Sequence, residues 1–262
     1  MPDLQPYRTL RRPLEHHREG IFVAEGEKVV RRLLDSDLQV ISMLMTPQWH
    51  EKLVSSGAFR PAAPAYTVFL ADGPLLETIV GYNLHQGIMA IGKVPPERPL
   101  GEVLGMIPGP RFLVALDGLV NAENVGVVVR NCAGFGADAI IVGETSSSPY
   151  LRRAVRNSMG AVFQLRVVHV ADLACDLGML GSEFHTRTIA AHPHGRSGIH
   201  GFDFSGDICI VFGNEGTGVS PAILEVCAER VAIPMMNDTD SLNVASASAV
   251  VLYEARKQRT TR

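Results

Sequence analysis

Short apolar runs recur along the chain, separated by segments whose apolar residues fall at helical spacing. Near the N-terminus, Ile21-Phe22-Val23-Ala24 reads as a strand. Glu25 to Leu34 follows, with Val29, Val30, Leu33 and Leu34 spaced as one helical face, and Val40 to Met45 reads as a second strand. The two patterns alternate as far as Gly87-Ile88-Met89-Ala90-Ile91, which predicts a small α/β layer. Beyond residue 110 the alternation sharpens. Strands are predicted at Phe112–Leu116, Ala139–Val142, Leu165–Val168, Thr188–Ala191, Ile208–Phe212 and Val231–Ile233. Helices are predicted at Asn124–Cys132, Tyr150–Asn157, Asp172–Leu180, Pro221–Cys227 and Leu242–Gln258. Short buried strands alternating with helices imply a mostly parallel sheet covered on both faces.

Proline divides the two regions. Val94-Pro95-Pro96-Glu97-Arg98-Pro99 is stiff and polar, and Pro108-Gly109-Pro110 follows closely. Proline fixes φ and removes a donor, so this stretch suits a linker. The expected organisation is an N-terminal α/β domain at 1–94, a linker at 95–110 and a larger α/β domain at 111–262.

Composition narrows the classes. The 262 residues are 46% hydrophobic and 19% charged, which excludes whole-chain disorder. No stretch approaches the roughly 20 apolar residues that span a bilayer, so a membrane partner is not expected. Charges run from Asp3 to Arg32 without the apolar core of a signal peptide, so a cytoplasmic location is expected. Cys132, Cys175, Cys209 and Cys227 form no C-x-x-C pair and are expected to be reduced core residues. A net charge of −3 weighs against a nucleic-acid coat but leaves room for a local basic patch. Leu151 to Val167 is one such place, with Arg152, Arg153, Arg156 and Arg166 and no acid. The C-terminal Arg256, Lys257, Arg259 and Arg262 are expected on a solvated, frayed helix end.

In parallel sheets ligands sit at the carboxyl ends of the strands, so the segments after the strands carry the candidate chemistry. After the first strand of the larger domain comes Asp117-Gly118-Leu119-Val120-Asn121-Ala122-Glu123-Asn124. Asn124 is a candidate cap for the next helix, and Arg130 lies nearly two turns along it. After Ile208–Phe212 comes Gly213-Asn214-Glu215-Gly216-Thr217-Gly218, whose glycines let backbone approach a ligand. Its G-x-x-G-x-G spacing is not the dinucleotide fingerprint. Glu215 would repel phosphates and suits a cationic or hydroxyl-bearing ligand. Ser220 and Pro221 then open a helix. After Val231–Ile233 comes Pro234 to Val244, where Asp240 or Ser241 is expected to cap the last helix. The run Ala245-Ser246-Ala247-Ser248-Ala249 is small enough for something to pack closely on it.

Taken together, Asn124-x5-Arg130, Phe212-Gly213-Asn214-Glu215-Gly216-x-Gly218 and Ile233-Pro234-Met235…Ser241-Leu242-Asn243-Val244 resemble, in order and spacing, the three motifs of the SpoU family. Its members are S-adenosylmethionine-dependent RNA ribose 2′-O-methyltransferases. Tyr150 to Val167 is similar to the segment between the first two motifs. Phe22-Val23-Ala24-Glu25-Gly26 and His85-Gln86-Gly87 are similar to the family's N-terminal substrate-binding domain. The resemblance implies a trefoil-knotted, SPOUT-like C-terminal domain and a homodimer that completes the active site. It implies ribosomal or transfer RNA as partner, not DNA. Gly213, Ile233 and Leu242 would bind the cofactor, and Asn124, Arg130, Glu215, Ser241 and Asn243 would form the catalytic face. Arg152, Arg153 and Arg156 are candidate RNA-phosphate contacts. The family commonly has Gly where Asn237 stands, a residue type that tolerates positive φ.

Other readings carry less. A non-catalytic RNA-binding protein with the same fold is the alternative, and the intact polar set argues against it. Gly87-x4-Gly92-Lys93-Val94 lacks the Ser or Thr of a P-loop and runs into prolines. His192, His194 and His200 have no neighbouring Cys or carboxylate to complete a ligand set, and no metal is expected. No G-x-S-x-G elbow supports a serine hydrolase, and Asp117-Gly118-Leu119-Val120 does not provide the glycines of a nicotinamide site.

Overall fold

The apolar runs become strands and the periodic segments become helices in a computed structural model that describes residues 4–57, 66–82, 86–237 and 241–260. The chain divides into two units, Met1–Pro96 with Tyr150–Phe163, and Glu97–Pro149 with Gln164–Arg262.

The first unit contains α1 (Gln5–Arg8), α2 (Pro13–Arg18), β1 (Ile21–Glu25), α3 (Glu27–Leu34), β2 (Val40–Met45), α4 (Pro47–Ser55), β3 (Thr67–Leu70), α5 (Gly73–Val80) and β4 (Ile88–Lys93). The strands lie in the order β1-β4-β2-β3. β4 is antiparallel to both neighbours, and β2 and β3 are parallel. Tyr7, Val23, Leu44, Leu76, Met89 and Ile91 are buried together in its core. Gly92 sits against the Phe22 ring, where an added Cβ would come within 2.3 Å, so the strand pair needs glycine there. His85 lies outside the described residues.

The segment 150–163 reads by sequence as part of the larger domain, yet it packs with this first unit. Tyr150 and Phe163 place their rings 5.6 and 5.1 Å from Phe22. It carries one α-helix, α8 (Arg152–Asn157), which rests on β1.

The second unit contains α6 (Leu100–Gly105), β5 (Phe112–Leu116), α7 (Ala122–Phe135), β6 (Ala139–Val142), β7 (Arg166–His169), α9 (Leu173–Ser182), β8 (Arg187–Ala191), β9 (Ser197–Gly198), β10 (Ile208–Phe212), α10 (Pro221–Val226), β11 (Glu229–Ala232) and α11 (Val244–Thr260). Its sheet has the order β7-β6-β5-β10-β8-β11-β9, and every pairing is parallel. Each strand therefore needs a crossover. Leu113, Ala115, Ile141, Cys209 and Val211 face Leu104 of α6, Leu173, Leu177 and Leu180 of α9 and Ile223 of α10.

Three expectations change. The stretch 95–110 is not linker throughout, because Leu100, Val103, Leu104 and Ile107 are buried in the sheet's core. Proline-rich flanks masked that apolar face. Cys175 is exposed, unlike Cys132 and Cys209, because it falls on the outer side of α9. The C-terminal basic run is tied down at Arg259, which donates to the carbonyls of Phe204, Gly206 and Pro110 and stacks over Phe112. Among the described residues, no helix is long and apolar enough to cross a membrane.

Candidate active site

β5 and β10 are neighbours, but their chains leave in opposite directions. β5 continues through α7 to β6 on one side, and β10 leads through α10 to β11 on the other. The crevice outside such a switch point is where parallel sheets bind ligands. The loops after both strands meet there. Asp117 N donates to Phe212 O, and Asp117 Oδ2 accepts from Ser220 N at 2.6 Å. Asn214 Nδ2 donates to Gly118 O at 2.7 Å.

The glycine-rich loop is closed on itself. Asn214 and Gly218 exchange two backbone hydrogen bonds, and Asn214 Oδ1 accepts from Gly216 N and Thr217 N. A Cβ at Gly213 would lie 2.2 Å from Gly218 C and Val219 N, so no larger residue fits. The closed loop presents Glu215 toward the start of α7. Glu215 Oε1 accepts from Asn121 N and from Asn124 Nδ2, each at 3.1 Å. A carboxylate is favoured there because it meets unpaired N–H groups and the positive end of the helix dipole.

The helix caps differ from expectation. Asn121, not Asn124, caps α7: its Oδ1 accepts from Glu123 N and Asn124 N. Asn124 falls in the first turn, which frees its amide to bridge Glu215 and Asn243. Asn243 Nδ2 donates to Asn124 Oδ1 at 3.5 Å, while Asn243 Oδ1 accepts from Ala245 N and so caps α11. Asp240, the other candidate cap, lies outside the described residues. The small face of α11 packs on α7, where Asn131 Nδ2 donates to Ala245 O and Ser248 Oγ. Asn237 adopts φ +57°, the left-handed turn expected of it.

A cavity of about 340 Å³ opens beside this cluster. Gly213, Glu215, Ile233, Ser241 and Leu242 all line it, as do Thr217, Val231, Val244, Ala247 and Val251. The structure thus brings five of the eight sequence-selected catalytic and cofactor residues to one cavity wall, and Asn124 joins it through Glu215 and Asn243 through Asn124. Arg130 is not brought in. It is exposed on α7, without a hydrogen bond or ion pair among the described residues.

Arg152 is also placed elsewhere. Its guanidinium pairs with Glu25 Oε2 at 2.6 Å, donates to Tyr82 Oη and lies over the Tyr82 ring. It is engaged within its own unit and is not presented to a phosphate. Arg153 and Arg156 are exposed on α8. Sequence reasoning missed His192, Pro193 and His194, which line the cavity after β8. Only the strand order places them: β8 is the other neighbour of β10, so its following loop belongs to the same edge, and no local sequence signal gives that adjacency.

Comparison with known proteins fits these observations. The model of the SpoU rRNA Methylase family matches residues 111–253. The chain is 33% identical to an uncharacterized tRNA/rRNA methyltransferase of Mycobacterium tuberculosis, over 97% of this chain and 88% of that one. It is 31% identical to a 23S rRNA (guanosine-2′-O-)-methyltransferase of Acinetobacter baylyi, over 89% of this chain and 96% of the relative. Its fold superposes on the SpoU methyltransferase AviRb of Streptomyces viridochromogenes, solved with AdoMet, with a TM-score of 0.82 at 24% identity over 98% of both chains.

Proposed function

The chain belongs to the SpoU rRNA methylase family, and on that premise we propose that it transfers a methyl group from S-adenosylmethionine to a ribose 2′-hydroxyl of ribosomal or transfer RNA. The observation that carries this reading is the convergence of Gly213–Gly218, Ile233 and Ser241–Leu242 on one cavity, with Asn124 held to its wall by Glu215 and Asn243 bonded to Asn124.

The donor set fits the cofactor. Val231, Ile233, Val244 and Val251 offer an apolar wall for a purine, Thr217 and Ser241 offer hydroxyls, and Glu215 offers negative charge to a sulfonium. About 340 Å³ lies within the ordinary range of small-molecule sites. When bound, the cofactor would supply an electrophilic methyl group: the O–CH3 bond forms as the S–CH3 bond breaks, S-adenosylhomocysteine leaves, and the proton of the 2′-hydroxyl passes to solvent. Glu215 fixes Asn124, and Asn124 with Asn243 forms an amide face that orients the ribose. Holding reactants in line is worth several kcal/mol, up to about 7–11 in ideal cases.

Arg130 grips the phosphate next to the target ribose and stabilises the developing alkoxide. A guanidinium keeps its proton and is a poor general base, so its role is electrostatic. Its exposure supports a homodimer in which Arg130 of a second copy completes the site. Tyr253, 58% exposed and edge-on to Phe135, lies on α11 against the same helix and suits burial by that copy. The return of α11 onto α7 after the loops it closes supports a knotted domain. The first unit binds RNA in this reading, with Arg153 and Arg156 as phosphate contacts, and the protein works in the cytoplasm.

Calorimetric titration with S-adenosylmethionine tests the reading. Stoichiometric binding by the wild type and by Arg130→Ala, with turnover on RNA lost only in the variant, is expected. No binding by the wild type, or near-normal turnover by the variant, contradicts it.

A further inference from the structure

The loop after β8 is built around a fixed imidazole. His192 N donates to Val231 O at 2.9 Å, and Gly195 N donates back to His192 O at 3.0 Å, so His192 to Gly195 form a tight turn on β11. Gly195 is pressed so close that a Cβ would lie 2.5 Å from Val231 C. Within this turn His194 N donates to His192 Nδ1 at 3.1 Å. A backbone N–H can only donate, so Nδ1 is the bare nitrogen of a neutral ring and Nε2 carries the hydrogen. Burial lowers the His192 pKa, and His194 and Arg230 lower it further, so the ring is held in that neutral form. The result is an oriented N–H donor on the cavity wall with no hydrogen-bond partner for Nε2 among the described residues.

Position along the sheet says which end of a ligand this donor meets. Asn124 and Glu215 stand at the ends of β5 and β10, and β8 lies beyond β10. At about 4.8 Å per strand, β8 is roughly 10 Å from β5. A methyl donor whose sulfur faces the Asn124–Glu215 cluster must extend away from it, toward β8 and β11. The wall there is Ala191, Pro193, Val231 and Ile233, which is apolar and suits a flat purine. The geometry points to His192 as a binding residue that donates its Nε2–H to an acceptor on the nucleoside half of the cofactor, a ribose oxygen or a ring nitrogen. This rests on the cavity being the S-adenosylmethionine site.

Titration calorimetry with two probes, S-adenosylhomocysteine and 5′-methylthioadenosine, tests it. The second probe keeps the nucleoside and lacks the amino-acid end. His192→Phe removes the donor and keeps a ring; both probes are expected to weaken about three- to tenfold, the worth of one hydrogen bond. His192→Gln places an amide nitrogen near Nε2 and is expected to restore both to within about twofold of wild type. His192→Leu repeats the removal, and thermal melts confirm that each variant is folded. Wild-type affinity of folded His192→Phe and His192→Leu for both probes overturns the assignment while the cavity reading stands. Weakening confined to S-adenosylhomocysteine overturns it too, because the contact would then lie at the amino-acid end. Failure of the wild type to bind either probe overturns the cavity reading and this assignment with it.

Discussion

The Asn124 side chain donates to Glu215 Oε1 at 3.1 Å across 91 positions of chain, and the same oxygen accepts from Asn121 N. One carboxylate oxygen of a cavity-lining residue thereby fixes the start of α7 and the Asn124 amide. Hydrogen bonds to a charged group contribute about 1.5–3 kcal/mol. Glu215→Gln keeps the shape and loses the charge, so methyl transfer is expected to fall about ten- to hundredfold. The loss should sit in kcat, with the RNA KM little changed. Steady-state kinetics check this, and a change confined to KM would contradict the positioning role.

Gly213 and Gly178 should respond in opposite ways to alanine. At Gly213 a Cβ would lie 2.2 Å from two backbone atoms, so the loop must deform. Gly213→Ala is expected to lower stability by about 2–4 kcal/mol and to abolish cofactor binding. Gly178 is inside α9 with nothing within 4 Å of a Cβ. Gly178→Ala is expected to raise stability by about 0.5–1 kcal/mol. Urea denaturation of both variants provides the comparison.

Arg152 and Arg156 stand on one short helix with different surroundings. Glu25 is only 14% exposed beneath the Arg152 guanidinium. Arg152→Ala strands that carboxylate and is expected to cost about 1–3 kcal/mol of stability. Arg156→Gln should be nearly neutral for stability. In RNA binding the order reverses: Arg156→Gln is expected to reduce the salt-dependence slope by about one, and Arg152→Gln to leave it unchanged. Filter binding across a salt series distinguishes them.

The strands of the second unit were legible because a doubly covered strand is a continuous apolar run, as at Phe112–Leu116 and Ile208–Phe212. Their order, and hence the β5–β10 switch point, was not, because pairing of distant strands leaves no local periodicity. Caps were misplaced by a few residues where several Asn and Ser residues compete, as at Asn121 and Asn124 or Ser241 and Asn243. Nothing local marks Tyr150–Phe163 as packing on Phe22, nor Arg152 as the mate of Glu25. Gly213, Glu215, Ile233, Ser241 and Leu242 were found through spacing shared with a family, whereas His192 and His194 lie in no motif.

His16 gives the first unit an acid sensitivity. Its Nε2 lies 3.0 Å from Pro6 O and from Thr9 Oγ1. Burial lowers its pKa, outweighing the opposing hydrogen bond to Pro6 O and the charges of Glu19 and Glu15. The unfolded chain therefore binds this proton more readily than the folded one. Stability is fully present above the unfolded value of about 6.5 and falls as pH drops through it, levelling off below the folded pKa. Denaturation at pH 8 and pH 5 should show a smaller difference in His16→Gln than in the wild type. An equal difference would remove His16 from the account.

The fate of the methyl group decides whether this chain modifies a ribose. The protein is incubated with tritium-labelled S-adenosylmethionine and unmodified ribosomal and transfer RNA, and the RNA is digested to nucleosides and separated. The account predicts label in a single 2′-O-methylated nucleoside from one RNA, absent when Arg130→Ala replaces the wild type. Label on a base, or no transfer by protein that binds the cofactor, would contradict it.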